Sequence, residues 1–220
     1  MTDFFRKKTA YLSSAYFGSI QYYSKLSSYQ HIIVENEENY QKQSYRNRCI
    51  ILAANGPLIL SVPVADGPNT KSKMKDLQLS YDHNWQRLHW RSIVSAYNNS
   101  PFFEYYADDL LPFFNEKKWK FLIDFNTEIQ QTILELTDLK TNIHFSEDYI
   151  PENEIPENVK DYRYSIHPKP TKQKEDEHFM AKEYAQVFQE KYGFVANLSI
   201  LDLLFNEGPR TLELLKSCIK

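Results

Sequence analysis

The stretch from Asn39 to Arg48 is the densest polar cluster in the chain, and it runs directly into the apolar segment Cys49 to Leu52. If Arg48 opens a strand, alternation puts Arg46 on the same face and Asn47 on the other. A guanidinium is a planar fork of donors that always carries charge, so Arg46 and Arg48 suit a phosphate or a carboxylate. The competing use of the same residues is salt bridging to nearby acids.

A second cluster runs from Asp82 to Arg91. On a helix, Trp85 and His89 share one face and Arg87 and Arg91 another. His89 has the imidazole chemistry of a general base near neutral pH, and Trp85 the flat face needed to stack on a sugar or base ring. A tryptophan and a histidine one turn apart are also an ordinary core pair. Arg46, Asn47, Arg48 and Trp85 are the candidate substrate-binding residues, and His89 is the candidate catalytic residue.

Other chemistries find no support. His31, His144, His167 and His178 are scattered, and without a His-Glu-x-x-His spacing no metal site is expected. Cys49 lies in an apolar run with no neighbouring histidine and reads as a buried structural thiol. No Gly-x-Ser-x-Gly, Walker or Gly-x-Gly-x-x-Gly motif is present, and no cofactor is expected. Asp108 and Asp109 are adjacent, so on a helix they do not face one another, and they read as surface charges.

These residues must be positioned by a chain of 220 residues, long enough for one substantial core. A mean hydropathy of -0.59 and the lack of an apolar run near the roughly 20 residues of a membrane span imply no membrane crossing. The N-terminus, Met1 to Lys8, leads into no continuous signal-peptide core, and with only two cysteines the protein reads as cytoplasmic. A net charge of -3 argues against a dedicated nucleic-acid partner. The 16 tyrosines and 14 phenylalanines are expected mainly in the core.

The pattern predicts a mixed α/β fold: a strand over 12–17, a helix over 20–29 and a strand over 31–35 form an N-terminal β-α-β unit. Arg48 to Leu52 and Leu58 to Val64 flank Asn55-Gly56 and predict a hairpin. The polar stretch Ala65 to Lys75 predicts an exposed basic loop, followed by a short strand over 76–80. Helices follow: one capped by Asn84 or Asp82 and ending at Tyr97, one starting at Ser100-Pro101, and one carrying Leu122 to Leu136. Together these elements predict a small mixed sheet of about five strands with packed helices. Residues 1–144 form the α/β core, 145–177 an acidic, proline-rich connector that is extended or partly disordered, and 178–220 C-terminal helices on the same domain. Those last helices are expected over 179–192, over 197–205 up to Gly208-Pro209, and over 211–219.

The segments Leu12–Phe17, Tyr40–Arg48, Ser61–Val64, Asn84–Arg91, Ala96-Tyr97, Ser100-Pro101, Tyr105-Tyr106, Asp124–Asn126 and Asn197–Gly208 together resemble the WbqC-like protein family, particularly the form found in Bacteroidetes-type bacteria. The family pattern falls on Asn47, Arg48, Val62 to Val64, Trp85, His89, Tyr97, Pro101 and Asn126, and by this resemblance Tyr97 and Asn126 join the candidate substrate-binding set. Longer relatives look to carry a Tyr-Leu-Ser-Gly type segment where this chain has its acidic connector. The resemblance implies a setting in O-antigen, lipopolysaccharide or related surface-polysaccharide biosynthesis, without a catalytic role for any residue. Two functions are compatible with it: a transferase acting on a nucleotide- or lipid-linked sugar, and a non-catalytic binding or assembly protein with an envelope-pathway partner. A nucleotide or RNA binder fits the stacking chemistry but not the charge.

Overall fold

The computed structural model describes residues 9–65 and 72–220. The N-terminal residues 1–8 and the centre of the expected basic loop, 66–71, lie outside the described residues.

The β-α-β opening is present: β1 (Thr9–Ser13), α1 (Ile20–Ser28) and β2 (His31–Glu35), with β1 parallel to β2 and Thr9 opposite His31. β1 is buried throughout, and β2 is buried at Ile32, Val34 and Glu35, as suits strands covered on both faces. The first strand begins and ends earlier than its apolar run suggests, because Ser14 to Ser19 form the turn into α1. Ser19 caps that helix by accepting from the Tyr22 N–H.

The hairpin is also present, as β3 (Arg48–Ala53) and β4 (Gly56–Ser61), antiparallel and joined at Asn55-Gly56. Gly56 has φ +105°, a conformation that other residues reach only with strain. The hairpin stands apart as a two-stranded sheet, so the single sheet of about five strands is corrected to two sheets. The expected strand over 76–80 resolves into a 3-10 turn at Met74–Asp76 and single bridges at Gln78 and Leu79.

Helices α2 (Trp85–Tyr97), α3 (Phe103–Leu110), α4 (Pro112–Asn115) and α5 (Leu122–Leu136) follow. Ser100-Pro101 does not start α3, because the Ser100 hydroxyl donates back to the Tyr97 carbonyl at 2.7 Å and closes α2 instead. The main sheet is completed by β5 (Asn142–Phe145) beside β2 and by β6 (Val159–Asp161) beside β1, all parallel, in the order β5-β2-β1-β6. β6 comes from the acidic, proline-rich stretch expected to be an extended connector. Tyr162, Arg163, Ile166 and His167 after it are buried, so residues 159–167 of this stretch join the core while most of its remainder is exposed.

At the C-terminus the expected helix over 179–192 reduces to α6 (Gln189–Tyr192), because the chain before it runs extended, pairing Phe179 with Ile219. Then come α7 (Ile200–Glu207) and α8 (Thr211–Ser217). The Asn197–Ile200 segment locks onto the β1–α1 turn by reciprocal capping. Ile20 N–H donates to the Leu198 carbonyl and Ile200 N–H to the Gly18 carbonyl, both at 2.9 Å, and the Ser199 hydroxyl reaches the Phe17 carbonyl. Gly208, at φ +52°, ends α7 directly against the Phe102 ring. Among the described residues, no helix is long and apolar enough to cross a membrane.

Candidate functional site

In open parallel sheets, ligands favour the carboxyl ends of the strands, at the point where strand order reverses. Here the chain winds outward from β1 to β2 and β5, then returns to β6, so that point lies between β1 and β6. Its floor is a buried ionic network. Glu35, at the end of β2, accepts from the Arg163 guanidinium (2.8 Å), the Tyr11 hydroxyl (3.0 Å), the Ser146 hydroxyl (2.7 Å) and the Glu37 N–H (2.8 Å). Arg163 also grips Asp161 and lies over the Tyr11 ring at 4.2 Å. Beside it Arg46 forms a two-pronged pair with Glu38, both bonds 2.6 Å. Arg46, Arg163, Glu35 and Glu38 are all at most 2% exposed. Burial of this kind is tolerable only when every charge has a partner.

This decides between the two arginines. Arg46 is committed to Glu38. Arg48, on the first residue of β3, is half-buried and makes no ion pair among the described residues, and its Nε is buried without a hydrogen-bond partner. Burial pulls its guanidinium below the ordinary value, although an arginine stays charged at any physiological pH. Two more unpartnered atoms lie nearby, Asn47 Oδ1 and Asn126 Oδ1. The amide nitrogen of Asn47 donates to the Val62 carbonyl at 2.8 Å. That of Asn126 donates to the Ser14 hydroxyl and the Arg46 carbonyl, both at 2.8 Å, so Asn126 reaches the peptide that joins Arg46 to Asn47. Among the described residues, one donor and two acceptors without partners therefore belong to residues that meet the chain at the start of β3. Native proteins leave few buried polar groups unsatisfied, and each one asks for a ligand, a water or an ion.

The α2 candidates behave differently. His89 Nδ1 is 2.9 Å from the Tyr16 hydroxyl, and the ring also bonds to the Ser61 backbone. Burial lowers its pKa to about 4, with the Ser61 contact pulling weakly the other way. The ring is neutral and already engaged, which suits holding Tyr16 and the hairpin in place better than taking a substrate proton. Ser61 pairs with Arg48 across the hairpin, so the histidine and the uncommitted arginine converge on one residue. Trp85 is 4% exposed, donates its indole N–H to the Ser80 carbonyl at 2.9 Å, and packs edge-on against His89 and Phe125. It has no face for a ligand. Tyr97 is fully buried and donates to Asp202 at 2.9 Å.

The usual phosphate position of such folds, the N-terminus of the helix after β1, is filled from within. The first N–H groups of α1 go to the Leu198 carbonyl, to Asn197 Oδ1 (2.8 Å) and to the Ser19 hydroxyl. Cys49 is fully buried, and burial pushes its thiol well up, so it stays protonated. No group of three or more His, Cys, Asp or Glu side chains suited to a metal occurs among the described residues.

Sequence reasoning missed Glu35, Glu38, Asp161 and Arg163. An acid following an apolar strand, as Glu35 follows Val34, was the available signal for the first. Nothing local marks the others.

A family model described as the WbqC-like protein family matches residues 13–214. An uncharacterized protein, Rv1507c of Mycobacterium tuberculosis (strain ATCC 25618 / H37Rv), is 24% identical over 232 residues, an alignment covering 96% of this chain and 99% of the relative. No solved structure matches the chain. The matched span reaches from the last residue of β1 into α8 and takes in the hairpin, β2, β5 and β6 of the parallel sheet, the charged residues of the ionic network and the Arg48 cluster, and by it the chain belongs to the WbqC-like protein family.

Proposed function

We propose that this protein binds the phosphate-bearing part of a nucleotide- or lipid-linked sugar at the mouth of β3, as a transferase of a surface-polysaccharide pathway. The observation that carries this reading is Arg48: a half-buried arginine that, among the described residues, has no ion pair and an unpartnered Nε, with Asn47 next to it in the chain and Asn126 on the neighbouring peptide each keeping an unpartnered oxygen. A guanidinium in this state gains most from a phosphate, and the two amide oxygens gain from hydroxyl or amine donors on the same ligand. Arg46 stiffens the wall through Glu38, and His89 and Trp85 support the hairpin from behind.

A ligand that binds only the folded state raises its stability. A thermal-shift series with nucleotide-sugars, free nucleotides and inorganic pyrophosphate is expected to show stabilisation that disappears in Arg48→Ala. Equal shifts in both proteins would remove Arg48 from the site, and a flat series would remove the site.

One feature favours the alternative, an assembly protein. On β4 the residues Pro57, Leu58 and Ile59 are exposed in succession, Ile59 by 52%, and β4 has β3 as its sole strand neighbour among the described residues. An apolar edge of this kind invites a partner strand. If Ile59→Lys abolished a co-purifying envelope-pathway protein while the thermal-shift series stayed flat, the assembly role would replace the transferase.

A further inference from the structure

We propose that the cleft at the carboxyl end of β2 is a binding site for an uncharged, hydroxyl-rich ring of pyranose type, seated against Tyr149 and Tyr164. This rests on the activated-sugar reading above and says where the sugar of that ligand would sit.

The cleft measures about 400 Å³ and is lined by Tyr149 and Tyr164 together with Glu37, Glu38, Asn39, Gln41 and Lys73. That volume lies within the range of about 300 to 1,000 Å³ usual for small-molecule pockets. A larger cleft of about 700 Å³ includes Gln30, His31 and Asn142, at the amino ends of β2 and β5, which is the wrong end of a parallel sheet for a ligand.

The charges around the smaller cleft are neutralised internally. Glu38 is held by Arg46, Glu37 by Lys73 at 2.7 Å and Lys75 at 2.6 Å, and Glu35 and Asp161 by Arg163. Among the described residues that line the cleft, no charge is left uncommitted to recruit an ion. What remains is the side-chain amides of Asn39 and Gln41 and the tyrosine hydroxyls, which both donate and accept. That is the inventory that recognises hydroxyl groups.

The aromatic wall is braced from behind. The Arg163 guanidinium stands 5.5 Å from the ring centres of both Tyr149 and Tyr164, and the Arg46 guanidinium 5.8 Å from that of Tyr164. The two hydroxyls are 3.3 Å apart. A cation against one face of a ring fixes its orientation and leaves the opposite face for the C–H surface of a sugar. Tyr149 is 46% exposed, a large aromatic left open on a rigid floor. Asn39 and Gln41 also flank Tyr40, whose hydroxyl feels both Arg46 and Arg48, so the cleft and the Arg48 cluster adjoin one stretch of chain.

The test is an amide NMR titration of the full chain with glucose, galactose and N-acetylglucosamine, and separately with inorganic pyrophosphate. At millimolar sugar, at least one of the three is expected to shift the amides of Glu37 to Gln41, Tyr149 and Tyr164. Tyr149→Ala is expected to weaken this at least tenfold, and Tyr149→Phe to weaken it less, because the stacking face stays and one hydroxyl is lost. Asn39→Ala, at an exposed position, provides a second weakening variant should Tyr149→Ala fold poorly. The proposal is overturned if no sugar shifts these amides, or if the shifts persist in both Tyr149→Ala and Asn39→Ala. Pyrophosphate separates it from the reading on which it rests: an Arg48-dependent pyrophosphate response with no sugar response defeats the cleft alone, and the reverse result defeats the phosphate site alone.

Discussion

The mouth of β3 and the face of α2 are about equally rich in polar and aromatic residues, and the fold treats them in opposite ways. Along α2 each singled-out group meets a partner inside the protein: Trp85 with Ser80, His89 with Tyr16 and Ser61, Tyr97 with Asp202. Asp202 in turn accepts from Tyr184 at 2.6 Å and from Gln186 at 3.1 Å. At the mouth of β3 the ion pairs are equally complete, yet Arg48, Asn47 and Asn126 each keep an unpartnered atom. Residue type alone does not tell a binding site from a packed core. What differs here is the hydrogen bonding: the α2 groups just named are partnered inside the protein, whereas the β3 groups keep unpartnered atoms among the described residues, and the proposed phosphate site rests on that difference.

The comparison breaks most readily at the ionic floor. Glu38→Ala leaves the Arg46 guanidinium buried without its carboxylate, and breaking a buried pair from one side costs about 3 to 5 kcal/mol. Urea unfolding measures this, and a loss below about 1 kcal/mol would mean that water reaches Arg46 and that the floor is not rigid.

Next in size is a pair of opposed pH effects on the packed side. His89 falls to about 4 in the folded protein from an ordinary 6.5, so its contribution is present above 6.5 and is lost as pH drops through 4. Asp202 rises to about 6 from 3.8, chiefly by burial, so its contribution is present below 3.8 and is lost as pH climbs through 6. Each is worth about 3 kcal/mol, and over the shared window they cancel. The stability of the native sequence is therefore expected to be nearly flat across that window. His89→Gln should gain stability on acidification and Asp202→Asn should lose it. Parallel slopes in the two variants would show that these groups do not titrate as their burial implies.

A smaller effect sharpens the contrast. Arg48→Met removes a buried donor that has no partner, and should change stability by less than about 1 kcal/mol while abolishing any phosphate-dependent thermal shift. Smallest of all, Cys49 should remain unlabelled by a thiol reagent in the native protein. Labelling without unfolding would place it on an opening segment.

The elements legible in the sequence were those set by local pattern. β2 follows from an apolar run and α1 from its amphipathic spacing, and the hairpin from Asn55-Gly56, where Gly56 supplies the positive φ. The three-residue β6 was not legible. It is too short to show alternation, it sits among acids and prolines, and its order comes from pairing with β1 at the other end of the chain. The extended run before α6 was read as helix because its apolar spacing permits one. Tyr184 and Gln186 instead reach Asp202, and Phe179 and Met180 bond to the C-terminal residues, which no local pattern announces.

In the candidate site the sequence determined the cast: Arg46, Asn47 and Arg48 ahead of an apolar strand, with Asn126 on a helix. Backbone propensity and alternation are short-range and can be read along a chain. Which arginine is committed and which is open was decided only in three dimensions. Glu38 takes Arg46 through eight residues of turn, and Arg163 arrives from 117 positions away to close the floor, its carbonyl accepting from Arg46. Charge pairing depends on distance in space, and the fold alone sets that distance.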